Sequence, residues 1–89
     1  MAARIEYKAS VAKDLRKLDR AEGIRVVNRL ERVLAAEGLR GKALSGEFAG
    51  LFKLRIGDVR VIYARTDEGY LVLRIGHGRD VYRRGRPAE

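Results

Sequence analysis

The stretch Leu51-Phe52-Lys53-Leu54-Arg55-Ile56-Gly57-Asp58-Val59-Arg60-Val61-Ile62-Tyr63 leaves the chain few ways to fold. Apolar and basic residues alternate up to Ile56, Gly57-Asp58 interrupts, and a second β-rich run begins at Val59. Two such runs joined by a two-residue loop make a tight antiparallel hairpin, because glycine supplies the positive φ the turn needs. That closure pairs Ile56 with Val59, Arg55 with Arg60 and Leu54 with Val61. The period of two then puts Phe52, Leu54, Ile56, Val59, Val61 and Tyr63 on one face. The other face carries Lys53, Arg55 and Arg60, with Leu51 and Ile62 between them. Like charges directly opposite each other destabilise a sheet. Two explanations follow: the face binds something anionic, or the basic side chains keep an exposed sheet surface soluble.

With 89 residues the chain has room for a single core. It is 46% hydrophobic and 36% charged with one proline, the composition of a globular domain. Twenty Lys and Arg against 12 acidic residues give a net charge of +8. Such a field attracts nucleic acid, an acidic protein or an anionic membrane surface. No apolar run reaches transmembrane length and no signal-type apolar core follows the basic N-terminus, so the expectation is a cytoplasmic protein with no membrane partner. The absence of cysteine removes disulfide and thiolate chemistry. With a single histidine besides, no metal or cofactor is expected.

Arg4 to Lys8 alternates and reads as a first strand at or near an edge. Ser10 is placed to cap a helix with Val11, Leu15 and Leu18 on its apolar face. Asp19-Arg20-Ala21-Glu22 has capping-box spacing and announces a second helix burying Val26, Val27, Leu30, Val33 and Leu34. Gly38 is its expected C-cap, with Leu39 folding back. Residues 40–50 read as a glycine-containing loop. After the hairpin and a polar turn at 65–69, Tyr70 to Ile75 reads as a strand with Leu71, Leu73 and Ile75 inward and Val72 and Arg74 outward. Gly76 to Asp80 breaks the pattern, Val81-Tyr82 is a candidate to rejoin the sheet, and 83–89 is a basic tail expected to be mobile. The fold class is α+β in one domain over 1–89. It runs strand, helix, helix, then an antiparallel β-meander of three to four strands, with both helices on one face of the sheet.

No paired carboxylates, Ser-His-Asp set or phosphate-cradling glycine loop can be assembled. What remains is a basic face carrying Lys53, Arg55, Arg60 and Arg74, with His77 and Tyr82 at its rim. That inventory suits a phosphodiester. An RNA strand can be cut by its own 2′-hydroxyl, so a protein need only position the backbone, stabilise charge and move protons. Arginines bind phosphate bidentately, and like charge crowding a lysine favours the neutral amine a base requires. Lys53 is the candidate for that base. The alternatives stay open for each residue: Lys53, Arg55 and Arg74 as solvated strand positions, His77 closing a turn, and Tyr82 as a core aromatic.

The segment Gly50 to Tyr63, followed by Leu71-Val72-Leu73-Arg74-Ile75-Gly76-His77 and Asp80-Val81-Tyr82-Arg83, resembles the RelE/ParE toxin superfamily. The likeness runs from Ile5 to Arg83. It implies the toxin of a type II toxin–antitoxin pair, a ribosome-dependent endoribonuclease that cleaves mRNA in the A site without a metal. The implied partners are an acidic RelB-like antitoxin, the ribosome and mRNA, with operator DNA reached only through the antitoxin. By position, Lys53 matches a lysine of proton transfer or phosphate binding, Arg60 the arginine on the scissile phosphate, and Tyr82 the tyrosine that stacks on or orients the nucleotide. Arg79 is the candidate second phosphate arginine, and Arg55, Arg74, His77 and Arg83 are implied RNA contacts. Leu51 replaces a lysine or glutamate of some members, and His77-Gly78-Arg79 replaces a His-Arg step. The ParE branch shares the fold, inhibits DNA gyrase and lacks RNase activity, which makes it the second reading.

Overall fold

A computed structural model describes residues 4–37 and 42–78. The order is β1 (Arg4–Tyr7), α1 (Val11–Arg16), α2 (Arg20–Glu37), β2 (Lys42–Ala43), a 3₁₀ turn at Gly46–Phe48, β3 (Leu51–Ile56), β4 (Val59–Arg65) and β5 (Gly69–His77). One five-stranded sheet has the order β1-β5-β4-β3-β2. The meander β3-β4-β5 is antiparallel, as alternation and short turns require. β1 lies at an edge as expected, but it runs parallel to β5, so the sheet is mixed. The helices between β1 and the meander supply the crossover that parallel neighbours need.

The hairpin has the register its sequence dictates, with Ile56 opposite Val59, Arg55 opposite Arg60 and Leu54 opposite Val61. Gly57 has φ +62° and Asp58 has no positive φ, so the strain of the turn falls on the residue without a Cβ. Val59, Val61 and Tyr63 are fully buried against Val11, Leu18, Val26, Leu30 and Leu34 from the helical layer, and Phe52, Leu54 and Ile56 pack around them. Phe52 stacks on Tyr63 at 5.6 Å, and Tyr63 meets Tyr70 edge-on at the same distance. Such aromatic pairs add about 1 kcal/mol each beyond area burial.

Four expectations change. The alternation proposed for β5 fails at Leu73. Ile62 stands opposite Arg74 while Tyr63 stands opposite Val72, so Leu73 is an extra residue in a β-bulge. The bulge resets the period: Tyr70 and Val72 join Ile75 in the helix-side core, Leu73 is buried but outside that cluster, and Leu71 is only half-buried. Residues 42–43 form an edge strand on β3, and a 3₁₀ turn follows, within the span read as loop. Ser10 stands at the N-cap position of α1 but is itself helical, with φ −66° and ψ −15°, and its side chain makes no capping bond. Arg74, expected outward in solvent, is largely covered and ion-paired with Asp14. Gly38 and Leu39 lie outside the described residues. No helix among those described is long and apolar enough to cross a membrane.

Candidate functional site

The face of the sheet opposite the helices is built in rows by strand register. One row runs Lys42, Lys53, Ile62 and Arg74 across β2, β3, β4 and β5. The next runs Arg55, Arg60 and Gly76. Lys53 and Arg60 are half-buried and Arg55 is exposed. Lys42 is the residue the sequence reading missed. It sits in a span whose glycines suggest only a loop, yet pairing with β3 makes it the direct cross-strand partner of Lys53.

Arg55 and Arg60 are the cross-strand pair predicted, and among the described residues neither forms an ion pair. Two unneutralised guanidinium groups side by side oppose sheet formation. Their cost is offset when an anion lies between them, since guanidinium and phosphate match bidentately. Arg55 Nε donates to the Gly57 carbonyl at 3.1 Å, which turns its head over the hairpin end. Arg60 extends along Gly78, whose absent Cβ would stand 3.7 Å from the guanidinium carbon. A glycine there keeps the arginine head clear of a side-chain neighbour.

Arg74 and His77 take other places. Arg74 Nε donates to Asp14 Oδ2 at 3.2 Å, and its side chain is 12% exposed. His77 lies opposite Val59, on the helix side of the sheet. Its Nε2 is 3.8 Å from Glu22 Oε2 on α2. It sits at the end of a strand that continues past Ile75, where a broken pattern was expected. Arg79, Tyr82 and Arg83 lie outside the described residues.

Two concavities flank this sheet. Between α1 and α2 lies an apolar groove that includes Leu15, Leu18, Val27 and the 54% exposed Ile24, with Arg16 and Arg20 at its margin. Between α2 and the hairpin turn lies a polar pocket of about 310 Å³ that shares Arg55 with the basic face.

Over residues 5–82 the chain matches the family of the ParE toxin of the type II toxin–antitoxin system parDE. Toxin RelG of Mycobacterium tuberculosis is 36% identical over 83 residues, spanning 90% of this chain and 95% of RelG. The toxin–antitoxin complex RelBE2 of the same organism contains a chain of 32% identity and TM-score 0.79, matched over 88% of this chain and 100% of that one. The isolated RelE toxin of E. coli has the same fold at 21% identity and TM-score 0.67, over 86% and 85% of the two chains.

Proposed function

The chain belongs to the ParE toxin family within the RelE/ParE superfamily, as the toxin of a type II toxin–antitoxin system, and from that premise we propose that it is a ribosome-dependent mRNA endoribonuclease. The observation that carries this reading is the cross-strand Arg55/Arg60 pair, without an ion pair among the described residues, with the Lys42/Lys53 pair one row away. Two relatives above 30% identity, Toxin RelG and a chain of the RelBE2 toxin–antitoxin complex, support the RelE branch.

In this mechanism the basic face grips the mRNA backbone, with Arg60 on the scissile phosphate. Lys53 accepts the proton of the adjacent 2′-hydroxyl, whose oxygen attacks phosphorus. The bond from phosphorus to the 5′-oxygen breaks, a cyclic phosphate remains, and the leaving oxygen takes up a proton. Arg60 faces the charge that builds on the phosphoryl oxygens, an interaction stronger in the transition state than before it. Tyr82 stacks on or orients the nucleotide, and Arg79 and Arg83 extend the phosphate contacts. Arg74, at the end of the Lys42–Lys53 row, ties β5 to α1, and His77 faces α2 from the other side of the sheet.

The antitoxin partner follows from membership of a toxin–antitoxin pair. An acidic antitoxin segment covers the Arg55/Arg60 region or adds to a sheet edge, where backbone groups are unpaired. A second reading, inhibition of DNA gyrase without chemistry, draws support from the match to the ParE family itself. Two assays on the purified protein separate them. The nuclease reading expects arrested translation with cut mRNA and undisturbed supercoiling. Relaxed DNA accumulating in the gyrase assay, with translation intact, replaces it by the second reading.

A further inference from the structure

Arg25 and Arg29 stand one turn apart on α2 and so project from the same helix face. Like charges at that spacing disfavour the helix slightly, and the core-facing stripe of α2 does not need them. Both line the pocket closed on its far side by the β3–β4 turn. Arg55 enters it from β3, its Nε held on the Gly57 carbonyl. Val26 and Ile56 supply apolar wall.

The pocket's own carboxylates do not neutralise these arginines. Glu22 and Asp58 line it, and Glu22 Oε2 stands 3.8 Å from His77 Nε2. Among the described residues Arg25, Arg29 and Arg55 form no ion pair. Three guanidinium groups against two carboxylates leave the pocket at formal +1. Arg55 is also the cross-strand neighbour of Arg60. The pocket is therefore continuous with the basic face, around the end of the hairpin.

We propose that the pocket walled by Arg25, Arg29 and Arg55 holds a backbone phosphate of the bound RNA, next along the strand from the phosphate at Arg60. This rests on the RNA reading above and adds α2 to the contact surface. Guanidinium groups arriving from both sides, two from α2 and one from β3, suit a tetrahedral phosphate with several acceptor oxygens better than a planar carboxylate. An acidic peptide segment of the antitoxin is the competing occupant. The shared Arg55 favours the strand that already crosses the Arg55/Arg60 pair.

The test uses the full-length toxin and a single-stranded RNA oligonucleotide. Arginine side-chain Nε–H signals are followed by NMR, first with inorganic phosphate and then with RNA. The proposal expects the signals of Arg25, Arg29 and Arg55 to move with both. Salt-dependent binding of RNA is then compared for the wild type, Arg60→Ala and the double variant Arg25→Gln/Arg29→Gln. Loss of one phosphate contact lowers the slope of log affinity against log salt by about 0.7, with several-fold weaker binding at low salt. If Arg60→Ala weakens binding while the double variant matches wild type, the pocket proposal falls and the RNA reading stands. If RNA leaves all three signals unmoved, or the wild type binds no RNA, the proposal is overturned. Loss of antitoxin binding in the double variant, with RNA binding intact, assigns the pocket to the protein partner and overturns it equally.

Discussion

Asp14 on α1 holds the far end of β5 through a single carboxylate oxygen. Its Oδ2 accepts the Ile75 backbone N–H at 3.0 Å and the Arg74 Nε–H at 3.2 Å. β1 ends at Tyr7, opposite Val72, and beyond that point β5 has no strand on its outer side. The carboxylate takes the place of the missing strand. It satisfies a backbone donor that would otherwise be buried and unpaired, and it fixes the segment leading to Gly76 and Gly78 beside Arg60.

Asp14→Ala removes the carboxylate beside the mostly covered Arg74 guanidinium and takes away the acceptor of the Ile75 N–H. Breaking a buried pair this way costs about 3 kcal/mol. For a domain of this size that lowers Tm by more than about 10 °C. Asp14→Ala and Arg74→Ala should prove strongly non-additive in a thermal double-mutant cycle. Additive losses would remove the coupling described.

Gly69 is required for a different reason. A Cβ there would stand 2.0 Å from the Arg4 carbonyl oxygen, inside any tolerable contact. Gly69→Ala must push β1 off β5 and is expected to cost about 2 kcal/mol or more, by analogy with other overpacked positions. Amide hydrogen exchange should show protection lost first at Ile5 and Tyr7. Unchanged protection would contradict the packing.

Much of this fold was legible because the hairpin carries its own register: alternation and a Gly-Asp turn determine every pair from Leu54 to Val61. The helices were legible from the spacing of Val26, Leu30 and Leu34. Local pattern does not report long-range partners, so the parallel seat of β1 on β5 and the edge strand at Lys42 were not readable. The bulge at Leu73 was invisible for a related reason. An apolar run of Leu71, Val72 and Leu73 has no polar residue to mark where the period slips. In the site, the Arg55/Arg60 pairing followed from turn length alone. The partners of Arg74 and His77, Asp14 and Glu22, depend on how α1 and α2 dock, which strand patterning cannot reveal.

Tyr7 donates its hydroxyl to Glu31, tying β1 to α2. Burial first, then the Glu31 bond and its negative charge, push the phenol well above its ordinary value. In the unfolded chain Tyr7 ionises near its usual pKa of about 10, whereas the folded state keeps the proton. Above that pH the unfolded state binds fewer protons, so this contribution to stability is full below pH ~10 and is lost as pH rises. Tyr7→Phe should be less stable than wild type at neutral pH, and the gap should narrow above pH ~10 in denaturant titrations. A gap that stays constant would show that Tyr7 does not titrate differently on folding.

Lys42 and Lys53 stand side by side in the register, but only Lys53 lies in the strand carrying Arg55. Lys53→Ala should cripple cleavage with little change in Tm, since its side chain points away from the helix-side core. Lys42→Ala should weaken RNA binding and leave the chemical step near normal in single-turnover kinetics. If Lys42→Ala instead slows the chemical step as much as Lys53→Ala, the assignment of the base to Lys53 fails.

The central claim is that Arg60 stabilises charge on a scissile RNA phosphate. Its direct test is mapping of mRNA ends in a purified translation system, with wild type and Arg60→Ala at matched ribosome occupancy. The expected result is cleavage by the wild type at codons in the A site. Arg60→Ala should cut roughly a hundredfold or more slowly, the loss typical of one electrostatic contact to a transition state. Equal cleavage by both proteins, or no cleavage by the wild type while it blocks gyrase supercoiling, would contradict the account.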